Sequence, residues 1–192
     1  MLKLFNKKKK DNKGFTLVEL MISLALLGFV CLMLIFLMQM GGKAYANSKA
    51  EVDLQTESQM VMSQMNTWIM ESNYAKYDNT HHALELYTTQ GKANKIIDKK
   101  VIFRKDTSLY LVEFVPDPAN PSYDCDQTVD YTAAAIKKNL LCDYIDKDKD
   151  GFKVTVNKSE VTVSLDMLKT RVHYNVAANT TKMRNGYVDL KK

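Results

Sequence analysis

Residues 7–24 read Lys-Lys-Lys-Lys-Asp-Asn-Lys-Gly-Phe-Thr-Leu-Val-Glu-Leu-Met-Ile-Ser-Leu, and an apolar run continues to Met40. A basic leader, a glycine and a long apolar segment with one carboxylate near its start thus follow in direct succession. Between residues 15 and 40 the only polar side chains are Thr16, Glu19, Ser23 and Gln39. As a helix these 26 residues extend about 39 Å, enough to cross a hydrocarbon core of about 30 Å. A carboxylate inside such a helix costs about 2.5–3.5 kcal/mol on insertion scales, which makes Glu19 a functional-site candidate by default.

The charge of the chain divides at the same place. The 192 residues carry a net charge of +5, which invites a nucleic-acid reading. Residues 1–14 hold six lysines against Asp11 and account for all of it, leaving 21 basic and 21 acidic residues in 15–192. Without the leader no basic excess remains, so no nucleic-acid partner is expected. The lysines keep the N-terminus cytoplasmic and send the C-terminus out, giving a single pass through the cytoplasmic (inner) membrane. A secretory signal peptide would have an apolar core of about 7–15 residues and a small-residue cleavage site. This run is longer, and Gly41-Gly42 is the nearest candidate for such a site.

Lys13-Gly14 followed by Phe15-Thr16-Leu17-Val18-Glu19-Leu20-Met21 resembles the signal sequence of type IV prepilins and type II secretion pseudopilins. The resemblance implies that prepilin peptidase, a membrane aspartyl peptidase, cuts between Gly14 and Phe15 and methylates the new N-terminus at Phe15. It also implies that Glu19, fifth in the mature chain, pairs with the N-terminal amine of a neighbouring subunit and sets axial register. Glu19 against its own Phe15 amine is the rival geometry, since i and i+4 share a helix face. The implied partners are prepilin peptidase, other pilin or pseudopilin subunits and the cytoplasmic membrane, and the implied destination is an extracytoplasmic pilus or pseudopilus.

Beyond the membrane segment the apolar period stays helical. Residues 43–76 contain no proline, and Leu54, Val61, Met65, Trp68 and Ile69 form one stripe that predicts packing on a sheet. Gly41-Gly42 predicts a weak point or hinge, at about 1 kcal/mol per glycine. The period then falls to two. Leu84 and Leu86 predict a short strand, and 101–103 with 109–115 a hairpin. The prolines 116, 118 and 121 mark a surface excursion, and 128–145 read as a helix or a loop ending in a strand. Phe152, Val154 and Val156 against Val161, Val163, Leu165 and Met167 predict a second hairpin, with 171–176 as a further strand. The pattern asks for an α+β, pilin-like fold: a cleaved leader (1–14), a transmembrane and fibre-core helix (15–40), its soluble half (41–76) and a β-rich head (77–192). Thr181-Lys182-Met183-Arg184-Asn185 resembles the ending of J-class minor pseudopilins, which implies a minor subunit, in a tip or initiation complex.

The soluble part offers two further sites. Cys125 and Cys142 predict one disulfide, closing a loop of about 17 residues and contributing about 3 kcal/mol, or else two free buried thiols. Asp146-Lys-Asp148-Lys-Asp150-Gly151 matches the first half of a calcium loop. The twelfth position, where an acid is needed, is Asn157, so a plain acidic turn is the alternative to calcium. His81, His82 and His173 show no metal-ligand spacing. No nucleophile elbow, P-loop or Cys-x-x-Cys occurs, so an enzyme is not expected. Two rival functions remain: a tip-borne binding module or adhesin for a surface, DNA or a secreted substrate, and a membrane-anchored calcium sensor.

Overall fold

The computed structural model describes residues 15–90, 95–114, 129, 131 and 139–190. They form a long N-terminal helix followed by antiparallel sheets, an α+β, pilin-like architecture. The chain divides into two compact units, residues 1–46 and 47–192.

Helix α1 runs Leu17–Glu71. Up to residue 40 it is apolar and exposed all round, with Leu24, Phe29, Leu32 and Phe36 each more than half exposed. It is the one described helix long and apolar enough to cross a membrane. Gly41 and Gly42 do not break it: both lie within α1, with nothing within 4 Å of where a Cβ would stand. Stopping and renucleating a continuous helix costs more than two glycine penalties.

The helix ends five residues before the expected boundary at 76. Ser72 closes it, its N–H donating to the carbonyls of Trp68 (3.1 Å) and Ile69 (3.3 Å) and its hydroxyl to Ile69 (2.8 Å). The chain then enters β1 (Tyr74–Asp78), which finds a partner in β2 (Ala83–Gln90); tertiary pairing overrides the helical composition here.

A five-stranded antiparallel meander continues through β3 (Lys95–Lys105), β4 (Ser108–Phe114) and β5 (Leu140–Cys142). A second sheet holds β6 (Phe152–Asn157), β7 (Glu160–Lys169) and β8 (Val172–Lys182) in that order. Three hairpins turn in two residues, after Lys105, Asn157 and Lys169. Their first turn residues, Asp106, Lys158 and Thr170, have φ of 58°, 49° and 61°, the left-handed geometry that such turns demand.

Within the 47–192 unit, α1 contributes Ala50, Leu54, Ser58, Val61, Met62, Met65 and Ile69 as a buried stripe; Trp68, expected in it, is only partly buried. The stripe meets Leu84, Leu86, Ile102, Leu109 and Leu111 of the first sheet and Phe152, Val161, Val163 and Leu165 of the second in one core. The opposite face of the first sheet carries Ala83, Val101, Phe103 and Phe114, with Val129 and Tyr131 packed against them. On that face Lys99 is 4% exposed, its ammonium 3.8 Å from Glu85 and over the rings of Tyr87 and Phe114. A buried cation needs this combination of a carboxylate and two aromatic faces.

The C-terminal segment closes the helix end. Arg184 N–H donates to Met70 O (3.0 Å), and the Asn185 side-chain amide donates to Glu71 O (2.5 Å). These are carbonyls that a helix cannot satisfy internally. Asn73, 7% exposed, joins the pieces. Its N–H donates to Tyr87 O and its carbonyl accepts from Val188, while Oδ1 accepts from Thr89 N–H (2.9 Å) and Nδ2 donates to Asn185 O (3.0 Å).

Candidate functional site

The start of α1 is a reciprocal cap. Thr16 stands at the N-cap, with its carbonyl accepting from Leu20 N–H (3.2 Å). The Thr16 hydroxyl accepts from Glu19 N–H (3.2 Å), and Glu19 Oε2 accepts from both the Thr16 N–H and its hydroxyl, each at 3.1 Å. This is a capping box, in which two otherwise unpaired donors at the helix start are satisfied together. The negative carboxylate also lies at the positive end of the helix dipole. Phe15 is 81% exposed immediately before the cap. Gly14, the other half of the expected cleavage site, lies outside the described residues. Sequence reasoning singled out Glu19 and missed Thr16, although Thr-x-x-Glu before an apolar run is a legible cap signal.

In the acidic loop Asp146 and Asp150 take different partners within the chain. Among the described residues no group of three or more His, Cys, Asp or Glu side chains converges on a metal position. Asp146 is 2% exposed; its Oδ1 accepts from Asp148 N–H (3.0 Å) and its Oδ2 faces His173 Nδ1 at 3.4 Å. Asp150 faces Arg104 at 3.1 Å and His82 at 3.5 Å, and Lys147 reaches Asp106 at 3.3 Å. Arg104 of β3, His82 of the β1–β2 turn and His173 of β8 thus stand beside the acids. Backbone bonds tie the same loop to both sheets: Ile145 N–H to Thr107 O (2.7 Å) and Asp146 N–H to Asp166 O (2.8 Å). Gly151 is required by close approach: a Cβ there would meet Asp166 O at 2.5 Å and Asp146 O at 2.6 Å.

Cys142 is a free thiol, 2% exposed, and burial pushes it up to about 12. Cys125, its expected partner in a disulfide, lies outside the described residues. A cavity of about 330 Å³ opens between the β1–β2 and β3–β4 turns, walled by Phe103 and Tyr131 and rimmed by His81, His82, Arg104 and Lys105. His81 stacks on Tyr131 at 4.2 Å, and its contact with Asp78 (2.7 Å) holds that carboxyl below the usual range.

An exposed apolar helix with a capped acid in its first turn, followed by antiparallel sheets, defines the pilin-like class. Residues 9–35 match the family model of the prokaryotic N-terminal methylation motif, the signature of type IV prepilins and pseudopilins. The motif implies processing by prepilin peptidase and assembly with pilin subunits, and with the apolar helix it fits membrane anchoring and a surface filament. No match to the chain was found among curated proteins or among solved structures.

Proposed function

We propose that this chain is a minor pilin or pseudopilin, a structural subunit of a type IV pilus or type II secretion-like filament. It enters the cytoplasmic membrane with its C-terminus outside, is cut between Gly14 and Phe15, is methylated at Phe15 and joins the filament. The coincidence of the methylation motif with Glu19 in the first turn of a helix whose first half is long and apolar carries this reading. Cleavage frees an ammonium at Phe15, and a carboxylate in low dielectric attracts it strongly. The J-class-like ending, Arg184-Asn185, supports a minor subunit in the tip complex. Mass spectrometry of purified filaments tests the processing, and stoichiometry along the filament tests the minor role. A mature chain beginning at methylated Phe15 and concentrated at one end is expected. An intact Met1 in the fibre would overturn the processing, and even distribution along the shaft the minor role.

A tip-borne binding module is the second reading, favoured by the aromatic and cationic cavity beside His81 and Arg104. The balance of 21 basic and 21 acidic residues in 15–192 weighs against DNA as its ligand. Salt-sensitive retention of DNA by the processed chain, residues 15–192, would restore that version.

A further inference from the structure

We propose that Asn185 is a self-modification site: when the C-terminal joint opens, its side-chain amide is lost to attack by Gly186, and the product no longer closes the joint. This inference does not depend on the filament reading. Asn185-Gly186 is the one Asn-Gly pair in the 192 residues, and both are exposed. The fold itself requires the glycine, because position 186 has a φ of 76°, left-handed geometry that a side chain resists. A Cβ there would meet nothing within 4 Å, so conformation and not space selects the glycine. With no side chain at 186, the Gly186 nitrogen has a clear approach to the Asn185 side chain.

In the closed joint that approach is restrained. The Asn185 side-chain amide donates to Glu71 O at 2.5 Å, and the Asn185 carbonyl accepts from Asn73 Nδ2 at 3.0 Å. Arg184 N–H on Met70 O and Val188 N–H on Asn73 O, each at 3.0 Å, pin the chain on either side. The leaving nitrogen and both flanks of the reacting peptide are thus held. Attack turns Asn185 out of this arrangement, so it waits for local opening.

The step balances with water alone. The Gly186 nitrogen bonds to Asn185 Cγ and gives up its proton, while the Cγ–Nδ2 bond breaks and Nδ2 leaves with that proton as ammonia. Water then opens the resulting cyclic imide at either carbonyl, giving aspartate or isoaspartate. A cavity of about 110 Å³ lined by Thr67, Met70, Glu71, Arg184 and Asn185 has room for that water. Either product lacks the donor to Glu71 O and adds a negative charge at the negative end of the α1 dipole. Arg184, whose guanidinium lies 3.9 Å from Met70 Sδ, is the cation lining that cavity. Isoaspartate also inserts a backbone carbon before Gly186, which moves Val188 off Asn73 O. The change therefore runs one way.

The test follows the full chain in detergent at neutral pH, with peptide mass spectrometry reading amide loss at Asn185. Loss should be at least about tenfold slower in the folded chain than in concentrated urea, and Asn73→Ala should raise the folded rate about tenfold, the effect of one buried hydrogen-bonding group on opening. Should Asn73→Ala fail to fold, the unsubstituted chain in urea below its midpoint gives the same reading, as a rate that climbs before global unfolding. Asn79, exposed and followed by Thr80, should keep its amide over the same period, and so should the chain carrying Asn185→Gln. Hydrogen exchange at the Arg184 and Val188 amides should be about tenfold faster in the deamidated chain than in the intact one. Equal rates in folded and unfolded chains, a folded rate indifferent to both Asn73→Ala and urea, equal loss at Asn79, or unchanged exchange after deamidation would each overturn the proposal.

Discussion

Glu19 and Thr16 cap each other at the start of α1, with Oε2 accepting both the N–H and the hydroxyl of Thr16 at 3.1 Å. The carboxylate therefore enters the membrane segment already hydrogen-bonded, which lowers the cost of burying it. Glu19→Ala should leave cleavage after Gly14 intact and reduce incorporation into filaments by roughly tenfold or more, the equivalent of about 1.4 kcal/mol. Thr16→Ala should have a smaller effect, since a lost N-cap costs about 1 kcal/mol. Immunoblots of cell and filament fractions measure both, and normal incorporation of Glu19→Ala would contradict a role in assembly.

Gly151→Ala should be among the most damaging single substitutions in the 47–192 unit. The new Cβ would press on backbone oxygens at 2.5 and 2.6 Å, and backbone cannot swing aside as a side chain can. A loss of about 3 kcal/mol is expected, read as a lower urea midpoint. Lys149→Ala, on the exposed side of the same loop, should be close to neutral. Equal effects of the two would refute the close-packing account.

Asn73→Ala removes the acceptor for Thr89 N–H and the donor to Asn185 O in a site only 7% exposed. The expected loss is about 1–3 kcal/mol. Asn185→Ala, whose side chain is exposed, should cost less, about 1 kcal/mol. Chemical denaturation of the full chain in detergent compares them, and the reverse order would show that Asn73 is not the joint.

Cys142 gives the protein an alkaline limit. Burial raises its thiol from near 9 to about 12, so the folded state holds the proton longer than the unfolded chain does. The stabilising effect of this group is complete below pH 9 and is lost as pH rises through about 12. Stability should therefore fall with pH in that window, and Cys142→Ala should flatten the fall. Iodoacetamide at pH 8 should label Cys142 slowly in the folded chain and rapidly after unfolding without reductant. Rapid labelling of the folded protein would contradict the burial.

The helix start and the hairpins were legible because their signals are local. The acid, the apolar run and the glycine lie within a few residues of one another. Strands β6 and β7 announce themselves by alternation from Phe152 to Met167. Lys95–Lys105 was only half visible, since Lys-Ile-Ile-Asp-Lys-Lys shows no alternation and Lys99 is buried on the strength of Glu85, Tyr87 and Phe114 from other strands. The turns were overestimated in length because Asp106, Lys158 and Thr170 adopt left-handed geometry without a glycine to mark it. The acidic loop was ambiguous for a deeper reason. Alternating aspartates suit a metal or a set of internal hydrogen-bonding partners equally well, and Arg104, His82 and His173 come from distant parts of the chain.

The closure of α1 by Arg184 and Asn185 orders events in time. The carbonyls of Met70 and Glu71 wait for donors that are synthesised more than a hundred residues later. Until they arrive these two carbonyls lack their donors, and Asn73 holds only Tyr87 and Thr89. The corner between α1 and β1 is thus completed by residues 184–188, so this joint is the last part of the unit that a growing chain can close.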